Sequence, residues 1–467
     1  MKNKLNIILL LSLFAGTSIF AQEQERPVLH LTLEQCKEMG LENDHNIVNA
    51  NLDVFAAQAQ KQEALAEYFP KLSFNTFGFY AIDPILEIGV TDIFGHSDFS
   101  HNLQNLVNQL APQLGINPTY STLQRGFNSS FMLTQPVFAG GMIVTGNKMA
   151  ALGVEAASLQ QKVQVRKTSE EIEQDYWQII SLEEKESTLD DVRNLLDTLY
   201  KDVLNACDAG VATRSDLLKV ELKKNEVKSG KIRLRNGIRL SKMKLFNSIG
   251  VEYNPYTTFH LDSIPFLDDI ILSDGLSEME SPDEYYQDEQ EIAANQEEAR
   301  LLDISVEVKR LEKRMAVGET LPHIAVGANY GYGSLIDKGS FNGGVFAMVQ
   351  IPITDWGKNS RKIKRLDYQM QKAENDREYL DKMLVLQSHK MWMDLTAAWE
   401  QLLVAEESVR TAEAVLNQMR DHFKAGMTTI AEVLQVETQY TQAKEEMVDQ
   451  SIAYRIALSQ YLDRSKQ

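Results

Sequence analysis

Cys207-Asp-Ala-Gly210-Val-Ala-Thr213-Arg-Ser-Asp216-Leu-Leu-Lys-Val220-Glu221 is echoed by Phe423-Lys-Ala-Gly426-Met-Thr-Thr429-Ile-Ala-Glu432-Val-Leu-Gln-Val436-Glu437, each residue 216 positions further on. The same offset relates Pro136 to Pro352 and Gly141 to Gly357, so the register is kept across a long stretch of each half. Self-similarity at a fixed spacing marks a duplicated architecture. Upstream, Phe69-Pro70-Lys71-Leu72 aligns with Leu321-Pro322-His323-Ile324 at an offset of 252, which places 36 extra residues between Pro70 and Pro136. The duplication therefore carries one insertion, confined to one loop, expected over residues 81–125.

The motif sits between stretches that favour long helices. The chain has 467 residues and 11 prolines, none of them between 137 and 254 or after 352. Leu395, Leu402, Val409, Leu416 and Phe423 recur every seven residues, with Ala398, Ala405, Ala412 and Met419 three places later. Beyond Gly426, Val433, Tyr440, Met447, Tyr454 and Tyr461 repeat that period, so two helices are expected to fold back as an antiparallel coiled coil. From residue 358 to 425 an unbroken helix would extend roughly 100 Å at ~1.5 Å per residue. A helix of that length has to span something.

Before each proline the pattern changes period. In His323 to Tyr332, Ile324, Val326, Ala328, Tyr330 and Tyr332 share one face, and His323, Ala325, Gly327, Asn329 and Gly331 the other. This reads as a strand with one apolar face and one small or polar face. Strands are expected at 71–80, 127–136, 323–332 and 343–352, started by Pro70 and Pro322 and turned into the long helices by Pro136 and Pro352. Each repeat then reads helix, strand, loop, strand, helical hairpin, with boundaries at 22–250 and 285–467. The inserted loop has room for a short helix around Leu103 to Leu110.

Hydrophobic residues make up 43% and charged residues 24%, the range of ordinary folded chains. The net charge of −19 would be repelled by phosphate backbones, so nucleic acid is not an expected partner. From Glu252 to Glu298 there are 14 acids and no Lys or Arg. Residues 251–284 are read from this as a solvated acidic linker or equatorial segment. Lys2, Lys4, the apolar run Leu5 to Phe14 and Ala21 read as a secretory signal peptide over residues 1–21. No later apolar run reaches the roughly 20 residues of a spanning helix. Cys36 and Cys207 lie in helical patterns far apart, which suits small buried residues better than a disulfide.

Catalytic fingerprints are not found. Gly141-Met-Ile-Val-Thr-Gly146-Asn147-Lys148 has the glycine spacing of a phosphate loop but Asn147 where Lys is required. His96, Asp98 and His101 cluster in the inserted loop without a shared helical or strand face. Neither an enzyme, a cofactor nor a bound metal is expected.

The ordered pattern resembles the TolC-like outer membrane efflux proteins from about Leu31 to Tyr461. Leu31-Thr-Leu-Glu-Gln looks like that family's helix start, Tyr68-Phe-Pro-Lys-Leu72 like its first strand, and Gln135-Pro-Val-Phe and Gln350-Ile-Pro-Ile like its strand-to-helix turns. The resemblance implies a mainly α fold with a small β part: long helices forming a periplasmic α-barrel, and four strands per chain contributing to a trimeric 12-stranded outer-membrane β-barrel. Elementary physics points the same way, because four strands cannot close a barrel and an open edge cannot face lipid.

The implied function is a passive exit duct in the outer membrane of a Gram-negative bacterium, serving tripartite efflux or type I secretion, including multidrug export. The implied partners are two further copies, a periplasmic adaptor, an inner-membrane pump of RND or ABC type, and lipid. Gly210, Val211, Gly426 and Met427 would be the tips meeting the adaptor, and Asp216 and Glu432 the acids of a periplasmic-mouth constriction. The family's latch from the Asp216 position to a tyrosine and an arginine is in doubt here, since Phe423 and Thr428 stand at those positions. The alternatives are a periplasmic adaptor, which has one hairpin, and a coiled-coil adhesin or structural rod, which lacks proline-ended strand pairs.

Overall fold

The computed structural model describes residues 28–83, 86–88, 90–115, 120–122, 125–256, 264–276, 279–334 and 339–465. The signal-peptide expectation for residues 1–21 lies outside them. Elements run β1 (Leu29–Leu31), α1 (Leu33–Asn43), α2 (His45–Ala66), β2 (Lys71–Tyr80), β3 (Leu86–Ile88), α3 (Val90–Phe94), α4 (Asp98–Leu114), β4 (Tyr120–Thr122) and β5 (Arg125–Ala139). There follow α5 (Met142–Asp208), α6 (Arg214–Ile249), β6 (Ile270–Leu272), α7 (Glu289–Asn295), α8 (Glu297–Gly318), β7 (His323–Ser334), β8 (Ser340–Gln350), α9 (Lys358–Lys424) and α10 (Ile430–Ser465).

The duplication is visible residue by residue. Shifting α5 and α6 by 216 gives both ends of α9 and α10, and shifting α2 by 252 gives both ends of α8. Helices of 67 and 36 residues occur in each hairpin. By packing, the chain forms two compact units, and each repeat contributes to both: one holds residues 1–40, 172–277 and 413–448, the other the remaining segments.

In the second unit, β2, β5, β7 and β8 form an antiparallel sheet in that order, with β2 and β8 at its edges. Direct partners share a face. Leu72 lies opposite Leu133, Phe74 opposite Phe131, and Phe131 opposite Tyr330. Ala328 lies opposite Val345, and Ile324 opposite Val349. This face is apolar and largely exposed in the chain. The other face is mixed: Ser73, Asn75, Asn128, Ser130, Asn329, Asn342 and several glycines share it with Phe77, Phe79, Met132, Phe346 and Met348.

Three strands differ from their expected bounds, β7 only in running on to Ser334. β5 starts at Arg125 and passes through Pro136 to Ala139, with a register shift between Pro136 and Phe138. The extra residue of this bulge is Val137, and Pro136 beside it is tolerated within the strand because β2 has ended alongside: the last β2 pairing is Lys71 with Thr134. β8 runs from Ser340 to Gln350, stopping short of Pro352, which has no N–H to continue a ladder. The turns that start the long helices are instead made at Gly140 and Gly141 and at Trp356 and Gly357, all with positive φ. Asn147, in the phosphate-loop look-alike, lies in the helix and donates from Nδ2 to the carbonyl of Ala64 (2.8 Å).

The helix expected at Leu103 to Leu110 is longer, Asp98–Leu114. Ser97 caps it and Gly115, at φ 67°, ends it, local chemistry that the apolar spacing alone did not reveal.

The acidic segment is only partly a solvated linker. In the first unit, β6 pairs in parallel with β1, and Leu267, Ile270 and Leu272 are buried. Apolar residues alternating among the acids anchor it. The buried Lys242 ammonium donates to the Ile270 carbonyl (2.9 Å) and pairs with Glu183 (2.8 Å). Asp274 accepts from the Tyr176 hydroxyl (2.8 Å) and from the Leu33 N–H at the start of α1 (2.7 Å). Among the described residues no helix is long and apolar enough to cross a membrane.

Candidate functional site

The two glycine tips are built the same way. At the end of α5, the Gly210 N–H donates to Cys207 O and the Val211 N–H to Ala206 O. At the end of α9, the Gly426 N–H donates to Phe423 O and the Met427 N–H to His422 O. Both glycines take φ near +73°, the left-handed stop that a Cβ disfavours. No atom lies within 4 Å of where either Cβ would be. The next residues project outward, Val211 80% and Met427 69% exposed. Apolar side chains at a loop tip with open space around the backbone form a surface that a partner helix can approach closely.

Asp216 and Glu432 lie just past these tips, as the third residues of their helices' first turns. The Asp216 carboxylate accepts from the Thr213 N–H (3.1 Å) and hydroxyl (2.7 Å), while the Asp216 N–H donates to Thr213 Oγ1 (3.3 Å). Lys219 adds an ion pair at 3.0 Å. Glu432 accepts from the Thr429 N–H (2.8 Å) and its own N–H donates to Thr429 Oγ1 (3.3 Å), a second reciprocal capping box. Hydrogen bonds from Thr213 and Lys219 hold the Asp216 carboxyl below the usual carboxylate range. Bonds from Thr428 and Thr429 do the same for Glu432. Both acids are therefore ionised at neutral pH and anchored to their own helix starts.

Phe423 and Thr428 stand where the resemblance implies latch partners. Thr428 donates its hydroxyl to Glu432 within one tip. Phe423 packs with Met419 against the buried cluster of Val192, Leu196, Val203, Val220, Ile430 and Val433. That cluster draws on all four long helices, so in this unit the two hairpins share one core. Cys207, at the Phe423-equivalent position, donates its thiol to Thr213 O at 3.3 Å.

One residue of the repeated motif was not singled out from the sequence. Glu437 is 1% exposed and sits 3.4 Å from the Lys223 ammonium. Lys223 also donates to Thr438 (2.6 Å), and Thr441 donates to Glu437 (2.9 Å). This joins α6 to α10 through a buried carboxylate. Its signal in the sequence was an acid at a position flanked by seam residues, Val433, Val436 and Tyr440.

In the other unit, Pro70 precedes β2 and Pro322 precedes β7. His96 and His101 stack with ring centroids 6.1 Å apart, while Asp98 opens α4.

Residues 290–460 match the family model described as outer membrane efflux protein. The chain has no match among curated proteins. Solved structures share the fold: a membrane protein from Pseudomonas aeruginosa (TM-score 0.72, 14% identity, 93% of each chain covered), and CusC, described for transmembrane channel formation (0.70, 13%, 93% of this chain and 91% of that one). VceC, an outer membrane protein from Vibrio cholerae, aligns at 0.67 with 14% identity over 93% of this chain and 95% of its own. Residues 290–460 are thus similar to the outer membrane efflux protein family model, and the fold of the whole chain is that of these solved structures.

Proposed function

We propose that the protein is an outer-membrane exit duct: three copies pool their sheets into one 12-stranded barrel, and their helical hairpins continue it as a conduit through the periplasm. The observation that carries this reading is the four-stranded sheet with one exposed apolar face, a second face richer in Ser, Asn and Gly, and two edge strands, β2 and β8, that are unpaired on their outer sides among the described residues. Such a sheet is stable in lipid only when further copies close it, apolar face outward and the second face lining a water-filled lumen. The duct has no energy source of its own. An inner-membrane pump of RND or ABC type, joined through a periplasmic adaptor, would supply the drive. An adaptor or a coiled-coil adhesin would have no use for such a sheet.

In this reading the tips at Gly210 and Gly426 meet the adaptor, and Asp216 and Glu432 from each copy place carboxylates around the periplasmic mouth, where they concentrate cations and oppose anions. Gly426→Leu tests the tip. The space beside Gly426 is open, so the substitution costs only about 1–2 kcal/mol of left-handed backbone strain. Export should fail while heat-modifiable oligomers still reach the outer membrane. Export persisting at the wild-type level would sink the adaptor contact.

A further inference from the structure

The insertion in the first repeat holds an amphipathic helix whose apolar stripe is left uncovered. In α4, Phe99, Leu103, Leu106, Val107, Leu110 and Leu114 recur at spacings of three and four along one face. Phe99, Leu106, Leu110 and Leu114 are exposed, up to 69% at Leu114. The residues the helix buries, Ser100 and Ala111, lie to one side of this stripe. Ser100 Oγ is held by the turn itself, donating to the carbonyls of Ser97 (2.8 Å) and Gly95. Local bonds thus fix the helix, and the stripe is free to serve an external partner.

Charge selects the partner. From Ala81 to Gln124 the sequence contains Asp83, Glu87, Asp92 and Asp98 but neither Lys nor Arg. Helices that lie on anionic lipid carry basic residues on their polar face, so this segment would be repelled by a phosphate-rich membrane surface. Asp98, its first residue, is the one charged side chain of α4, and the face opposite the stripe is centred on Asn105 and Asn108. Packed stripe against stripe, two such helices meet with no charged side chain between them.

Topology supplies the meeting place. The insertion joins the β2 end at Tyr80 to the β5 start at Arg125, and within it β3 pairs with β4 as a separate two-stranded sheet. Every copy that closes the edges of β2 and β8 brings its own α4 to the same rim. We propose that the stripe's occupant is α4 of the neighbouring copies, so that the helices pack together across the outer mouth as a self-associated cap. The inference rests on the pooled-barrel reading above.

Cysteine cross-linking in the full-length protein in outer membranes tests it, after Cys36→Ala and Cys207→Ser. Copper-phenanthroline oxidation should link Leu110→Cys between copies and leave Asn105→Cys, on the opposite face, unlinked. As a second readout, combining Leu106→Asp with Leu110→Asp should raise single-channel conductance in planar bilayers about twofold or more, because the obstruction is opened. A heat-modifiable oligomer in which Leu110→Cys links no better than Asn105→Cys would overturn the cap alone. In that case, maleimide labelling of Leu110→Cys on whole cells would mean a solvated stripe, and protection from it a lipid-buried one; either result counts against the cap. Absence of any oligomer would overturn the pooled barrel and the cap with it.

Discussion

Gly140 and Trp356 occupy equivalent turns in the two repeats and share a left-handed backbone, φ +61° and 56°, yet only Gly140 is barred from carrying a side chain. A Cβ on Gly140 would lie 2.1 Å from the carbonyl oxygen of Gly318, which closes the turn against α8. Trp356 is 92% exposed, an amphipathic ring beside the strand ends, where the proposed barrel meets the headgroups. Gly140→Ala should therefore lower the melting temperature of the assembled protein. Trp356→Gly should leave folding intact, relieve roughly 1–2 kcal/mol of backbone strain, and weaken retention in lipid. Thermal shift by gel mobility and flotation with liposomes read the two effects. Equal loss of stability in both variants would contradict the asymmetry.

The two faces of the sheet should respond oppositely to charge. Val345 on β8 is 88% exposed on the apolar face, and Val345→Arg should cost about 2–4 kcal/mol if that face meets the bilayer midplane. Asn342→Arg, on the second face, should leave assembly near wild type and shift ion selectivity. Refolding titrations into lipid vesicles measure the first, and reversal potentials the second.

Acid should loosen the start of α6. The Asp216 carboxyl is held below its unfolded value by Thr213 and Lys219, so its stabilisation is present above the unfolded carboxylate range and is lost as pH falls through the lower folded value. Thr213→Ala, which removes the cap, should cost about 1 kcal/mol of local helix stability. Hydrogen exchange should show Asp216→Asn less protected than wild type at pH 7 over residues 217–221. The two should converge near pH 2, once intrinsic exchange rates are corrected. A difference that survives at low pH would rule out the carboxylate as its origin.

Removing the ammonium beside Glu437 should be worse than its exposure suggests. Lys223→Met leaves a carboxylate that is 1% exposed with hydrogen bonds from hydroxyls only, at a cost of about 1–3 kcal/mol. The double variant with Glu437→Gln should recover part of the loss in a denaturation cycle. Strict additivity would show that the pair does not couple the hairpins.

The two thiols should separate cleanly. Burial, with a smaller contribution from Asp274, pushes the Cys36 thiol up to about 12, so it stays protonated and inaccessible at neutral pH. Cys207 is only half-buried. Maleimide should modify the native protein at Cys207 and reach Cys36 only after denaturant. Mass spectrometry locates the adduct.

The repeat was legible because its register is carried by residues whose backbone roles are local. Gly210, Gly426, Thr213 and Thr429 each do a job that nearest-neighbour chemistry dictates, and so the tips could be located from composition and spacing alone. Pro136 shows where that logic stops: whether a proline ends a strand or is carried within it depends on where the neighbouring strand runs out, here at Lys71, which is a tertiary fact. The acidic segment misled for a related reason. Its charge dominates its composition, while the few apolar residues that anchor it, Leu267, Ile270 and Leu272, gain their meaning only from β1 and Lys242. Glu437 was hidden because a carboxylate inside a heptad pattern looks like a solvated position until its lysine, far away in sequence, is seen.

If the barrel is pooled from several copies as proposed, the unpaired edges of β2 and β8 set the kinetic order of biogenesis. A lone copy cannot satisfy its outer backbone groups in lipid, so membrane insertion has to follow or accompany encounter of copies, and its rate should rise more steeply than linearly with concentration. Before that encounter both edges are templates for any extended chain nearby. A cell making this protein faster than the copies meet would accumulate periplasmic aggregate, and the bottleneck would be relieved by a chaperone that shields strand edges, whatever the thermodynamic stability of the finished assembly.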